Sequence, residues 1–167
     1  GTEDFIVLLG TLIGKVIVKI IYEDIEKWIT KITKSQTSNF PICPYASKAK
    51  YWIYPYEDRA SLQLKACFFD SNFDIYICLP TNQFMSVEEA NIIAENCNRI
   101  AKDTITLVDH PKDPGFIDDI YTGNGKYVVF LIQKKKDLIK ARRNLKTKSY
   151  YKNWSNEYYK KIVGTDI

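Results

Sequence analysis

The sequence predicts a mixed α/β (α+β) fold: a sheet of four or five strands with helices packed on it as a ferredoxin-like sandwich, preceded by a long N-terminal helix. Three observations carry this. Residues 74–79 and 104–108 are short β-branched and aromatic runs on either side of a capped amphipathic stretch, the order of a right-handed β-α-β crossover. Residues 117–121 and 127–133 are two more such runs around Gly123-Asn124-Gly125, a turn signal for a β-hairpin. Helical spacing over 1–34 ends at a Ser/Thr/Asn-rich linker, 35–39, so a core at 40–147 stands between an N-terminal helix and a C-terminal segment, 148–167. With 46% hydrophobic and 14% aromatic residues in 167, the composition excludes a disordered chain.

From Val16 onward, Ile17, Ile20, Ile21, Ile25, Trp28, Ile29 and Ile32 fit an amphipathic helix, with Lys19, Glu23, Glu26, Lys27 and Lys31 on its outer side. Over 5–13 the apolar residues run all round the helix. A leader would need basic residues where Glu3 and Asp4 stand, and a membrane span needs about 20 apolar residues where Lys15 and Lys19 intervene. A membrane partner is therefore not expected. The first half of the helix is expected to be buried against the core or against a second copy, giving a homodimer, and Gly10 and Gly14 have the spacing that lets helices approach closely.

Within the core, 45–50 reads as a short helix and 51–54 as a strand ended by Pro55. Asp58 caps a helix over 59–69, against a competing alternating pattern at Leu62, Leu64, Ala66 and Phe68. Ser86 caps the next helix, with Glu89 completing a capping box. That helix runs to about Lys102 and buries Val87, Ala90, Ile93, Ala94, Cys97 and either Ile100 or Ala101. Asp137 starts a last helix carrying Leu138, Ile139, Ala141 and Leu145.

Four cysteines without C-x-x-C or zinc spacing suit a soluble chain in the reducing cytoplasm. Cys43 is followed by Pro44, a residue suited to the first position of a helix, so the thiol would face unpaired main-chain N–H groups and become more acidic. The other reading is a small buried hydrophobe. His110, the single histidine, follows a strand end and has Asp109 and Asp113 beside it, with Asp118 and Asp119 further on. A Cys43/His110 dyad with Asp113 orienting the imidazole is the catalytic expectation, and an ordinary surface turn is its alternative. Gly123 to Lys126 is not a phosphate loop, because Ile120 and Tyr127 stand where a P-loop has glycine and Ser or Thr. No cofactor is specified.

Residues up to Gln133 carry 13 basic and 17 acidic side chains, whereas 134–161 carry 11 and 2, so the basic character belongs to one segment. There Lys148, Tyr150, Lys152, Trp154, Lys160 and Lys161 interleave cations with rings, a composition that suits single-stranded nucleic acid. The competing reading is a solvated helix whose rings fold back over the sheet.

Two resemblances follow from short motifs. The C-P-Y of Cys43 to Tyr45 is similar to the glutaredoxin C-P-Y-C motif, but Ala46 at the fourth place admits only a monothiol version, and a helix rather than a strand precedes it. The F-P-x-C-P-Y-A stretch at 40–46, the D-H-x-K-D loop at 109–113, the G-K-Y at 125–127 and the A-R-x-x-L-x-x-x-x-Y-Y-x-x-W-x-x-E-Y ending at 141–158 together resemble an uncharacterised group of small phage and marine bacterial proteins. That resemblance implies no activity, and it makes the N-terminal helix the least typical part.

Overall fold

The computed structural model describes residues 2–34, 36–37, 40–41, 43, 45–113, 115–117 and 119–164, with the backbone alone for 4–11, 36–37, 40–41, 45 and 47. In chain order come α1 (Thr2–Lys34), β1 (Gln36–Thr37), β2 (Phe40–Pro41), a 3-10 turn at Tyr45–Lys48, β3 (Tyr51–Tyr56), α2 (Arg59–Cys67), β4 (Ile75–Pro80) and α3 (Val87–Ile100). Then follow β5 (Thr104–Asp109), β6 (Phe116–Ile117), β7 (Ile120–Tyr121), β8 (Val129–Lys134), α4 (Lys135–Thr147) and α5 (Asn156–Ile162). The placement of Pro44 and Asp118 lies outside the described residues. The stretch read as a linker carries a small antiparallel ladder, Gln36 opposite Pro41 and Thr37 opposite Phe40.

The mixed α/β class holds, with a four-stranded sheet in the order β3-β4-β8-β5. β3 and β4 are parallel, while β8 runs antiparallel to both its neighbours, β4 and β5. The strands read as a β-α-β crossover, β4 and β5, are therefore parallel but separated by β8, the split β-α-β unit that a ferredoxin-like sandwich also contains. Every residue of β4 is buried, because both faces of the sheet are covered. Tyr76, Cys78, Phe130 and Ile132 pack under α2 and α3. Ile75, Ile77 and Val129 pack against Ile25, Trp28 and Ile32 of α1 on the other face.

Local sequence chemistry explains the helices. Asp58 accepts a hydrogen bond from Ser61 N at 2.8 Å, and this cap sets the helical reading of 59–67 above the strand pattern. Ser86 accepts from Glu89 N at 3.1 Å, but the Glu89 carboxylate completes no capping box and reaches Arg59 at 3.1 Å instead, tying α3 to α2. Ala101 is buried and Ile100 exposed, which resolves the end of that helix.

Three expectations are corrected. Pro55 does not end β3 but lies inside it; β3 is an edge strand paired on one side only, where a missing N–H costs no ladder bond. The hairpin of 117–121 with 127–133 does not form. Phe116–Ile117 pairs instead with Ile120–Tyr121, and 129–134 enters the centre of the main sheet. Asn124 is the local reason: its Oδ1 accepts from Lys126 N and Tyr127 N, at 3.0 and 2.7 Å, so its side chain closes the turn that a ladder would have closed. Nor is the described outer part of α1 buried against the core, since Leu12 to Ile20 is exposed.

Side-chain amides also stand in for absent strands. Thr106 on edge strand β5 turns its N–H and C=O away from β8, and the Asn98 amide bonds both, at 2.7 and 3.0 Å. Gln83 does the same for Val128, accepting from its N–H at 2.7 Å and donating to its carbonyl at 3.1 Å. Asn98→Ala leaves a buried edge unpaired and is expected to cost about 1–3 kcal/mol in chemical denaturation. The same variant should aggregate sooner on heating, measured by light scattering.

Candidate functional site

An apolar cavity of about 190 Å3 lies on the α1 face of the sheet. Its floor follows from strand alternation. Leu107 and Asp109 of β5 and Leu131 and Gln133 of β8 point to one face, with Leu107 opposite Leu131. One wall is a single face of α4, Leu138, Ala141, Arg142 and Leu145, at helical spacing. Trp28 and Ile32 of α1, with Cys43, Ile117 and Thr122, form the opposite wall. Tyr150, Tyr151, Trp154 and Tyr158 close the space with Ile162 and Val163.

The closing segment is held by ring-on-ring contacts. Trp154 sits 5.5 Å from Tyr150, 4.9 Å from Tyr151 and 4.8 Å from Tyr158 between centroids. Ser155 caps α5 through Tyr158 N, Arg142 donates to Ile162 O at 2.8 Å, and Tyr158 and Thr122 share a hydroxyl hydrogen bond at 3.0 Å. Burial holds the Tyr150 and Tyr158 hydroxyls above their ordinary pKa and pushes Tyr151 up to about 12, so all three are neutral at physiological pH. The Trp154 indole N–H is buried without an acceptor.

The structure does not assemble the dyad. Cys43 is half-buried in the cavity wall, its N–H donating to Ile32 O at 2.9 Å at the end of α1. His110 is 4% exposed and lines a different, polar recess of about 40 Å3. Its Nδ1 accepts from Lys112 N at 3.0 Å, so Nε2 carries the proton and donates to Met85 O at 2.8 Å. Both ring nitrogens are thus engaged with main chain, and Met85 belongs to the core on the other side of the sheet. Asp113 does not orient the imidazole; its carboxylate pairs with Lys161 of the C-terminal segment. Among the described residues, no three His, Cys, Asp or Glu side chains stand together as a metal site.

Of the nucleic-acid candidates, Lys148, Lys152 and Lys160 are exposed, while Tyr150 is 7% exposed and Trp154 half-buried within the ring cluster. The rings fold back over the sheet face. Sequence reasoning missed Arg142, Gln133 and the depth of Asp109. The signal for Arg142 was available, since it stands among Leu138, Ala141 and Leu145 on the apolar face of a helix, and Asp109 continues the inward alternation of Ile105 and Leu107.

Asp109 receives hydrogen bonds from the Asn124 main-chain N, at 2.9 Å, and from its side-chain amide, yet burial raises its pKa above the ordinary carboxylate value. A Cβ on Gly123 would stand 2.8 Å from Asp109 Oδ1 and 2.7 Å from the Tyr121 hydroxyl, so only glycine leaves room for both side chains here. Comparison with known proteins finds no family model, curated protein or solved structure that matches the chain.

Two measurements check this site. A raised carboxyl pKa means the native state holds its proton longer than the unfolded chain, so this group's contribution to stability falls as pH rises from the unfolded to the folded pKa. Asp109→Asn should therefore raise the melting temperature at neutral pH, with the gain shrinking on acidification through the carboxylate range. For the cysteines, Cys67 is exposed, Cys43 half-buried, and Cys78 and Cys97 buried with pKa raised by that burial. Iodoacetamide labelling followed by mass spectrometry is expected to modify Cys67 first, then Cys43, with Cys78 and Cys97 reacting only on unfolding.

Proposed function

We propose that the chain is a ligand-binding α/β domain whose cavity takes a small, uncharged, ring-sized organic molecule bearing a hydrogen-bond acceptor. The observation that carries this reading is the apolar space of about 190 Å3 lined by Trp154, whose buried indole N–H has no acceptor. An apolar protein cavity of roughly 150 Å3 already holds a benzene-sized molecule. A buried N–H left unpaired costs about 1–3 kcal/mol, which a bound acceptor recovers. Few polar groups converge on an otherwise hydrophobic wall, the usual composition of a small-molecule site. Cys43 is in this reading a contact residue, and the neighbouring tyrosine hydroxyls supply orientation rather than charge.

The test is a thermal-shift screen with neutral monocyclic aromatics such as phenol, cresols and indole, read alongside tryptophan fluorescence. At about 100 times its dissociation constant, a ligand adds about 2.7 kcal/mol, or roughly 5–10 °C for a chain of this size. Binding should also slow alkylation of Cys43 and leave Cys67 unchanged. Ala141→Phe, which fills the cavity, should abolish the shift. A panel without any shift, or a shift that survives in Ala141→Phe, sinks the reading.

A further inference from the structure

The described outer part of α1, Leu12 to Ile20, is a largely apolar surface exposed along its length. α1 spans 33 residues, about 50 Å at the helical rise. Its inner half buries Ile25, Trp28 and Ile32 against the sheet. Ahead of them, Leu12, Ile13, Val16, Ile17, Val18 and Ile20 are 45–57% exposed. At about 100° per residue the direction of Ile13, Val16 and Ile20 lies roughly 120° from that of Ile25, Trp28 and Ile32. The straight helix therefore cannot turn both stripes to its own core.

We propose that residues 6–20 of α1 form a seam that pairs with the same seam of a second copy of the chain. The spacing argues for a helix as the occupant. Positions 6, 9, 13, 16 and 20 are Ile, Leu, Ile, Val and Ile, a 3-4-3-4 alternation that is the a/d pattern of a coiled coil, with isoleucine at every a position, the residue a two-stranded pair prefers there. The seam stops where its continuation would meet Glu23 and Lys27, both exposed. A surface made of one such seam is complementary to itself, as a two-fold dimer requires. Lipid is the other apolar environment on offer. Lys15 and Lys19, both exposed, stand within the segment but off the seam, where a paired helix leaves them in water. The inference is independent of the ligand cavity.

The experiment is light scattering coupled to size-exclusion chromatography on the full chain across the micromolar range, with co-sedimentation on phosphatidylcholine/phosphatidylglycerol vesicles in parallel. The wild-type chain should pass from one to two copies as concentration rises. Ile13→Gln/Val16→Gln should stay monomeric at every concentration, with its melting temperature, extrapolated to low concentration, unchanged because both positions are exposed. A wild-type chain that is monomeric throughout overturns the proposal, as does a dimer that persists in the double variant. Sedimentation of a monomeric chain with vesicles also overturns it and assigns the face to lipid.

Discussion

β8 is the constraint on which the rest of the structure depends. It is hydrogen-bonded on both sides and covered on both faces, with Val129, Phe130 and Ile132 showing no exposure. Between two parallel neighbours it runs antiparallel to both, and it enters from a loop that crosses one end of the sheet. Residues 121–128 make that crossing, and their polar groups are met by distant side chains. Trp28 donates to Thr122 O at 2.9 Å and Lys31 to Tyr121 O at 3.0 Å. The Tyr127 hydroxyl donates to Asp24 at 2.7 Å, and that hydrogen bond, with Lys126 nearby, holds the Asp24 carboxyl below its ordinary range. The inner half of α1 is thus fastened to the sheet by the loop that delivers β8.

The same arrangement creates the cavity. β5 and β8 turn Leu107, Asp109, Leu131 and Gln133 to a face that α1 covers only at one side, through Trp28 and Ile32. α4 leaves the end of β8 and runs back along the other side. Over the gap between the two helices the chain lays a cluster of five rings, Tyr150, Tyr151, Trp154, Tyr158 and Tyr159. Large flat groups stacked edge to face cover area well but leave space beneath them. The lysines of the segment stay in solvent, and Lys161 also anchors it to Asp113.

Main-chain groups left unpaired at the sheet edge and in its connections are met by carboxamides. Asn98, Gln83 and Asn124 each offer a donor and an acceptor on one short side chain, the same pair a neighbouring strand would present. Histidine at 110 is used in a related way, with one ring nitrogen accepting and the other donating to main chain. What reads in sequence as a catalytic candidate is in the folded chain a structural clamp between the β5 loop and Met85.

Much of this was legible in the sequence, because much of it is local. The Ser86 cap, the apolar face of α3, the β-branched runs of β4 and β5 and the split of basic charge into one segment depend on residues close in the chain, where spacing alone assigns the side facing the core. The folding back of the C-terminal rings was foreseen as one of two readings. Tertiary structure alone decided the placement of β8, the loss of the 117–133 hairpin, and the separation of Cys43 from His110. Each depends on which of several equally apolar partners a strand or side chain meets, and pairing across dozens of residues leaves no period in the sequence. The cavity belongs to that second class too, since it is a space between elements rather than a property of any one of them.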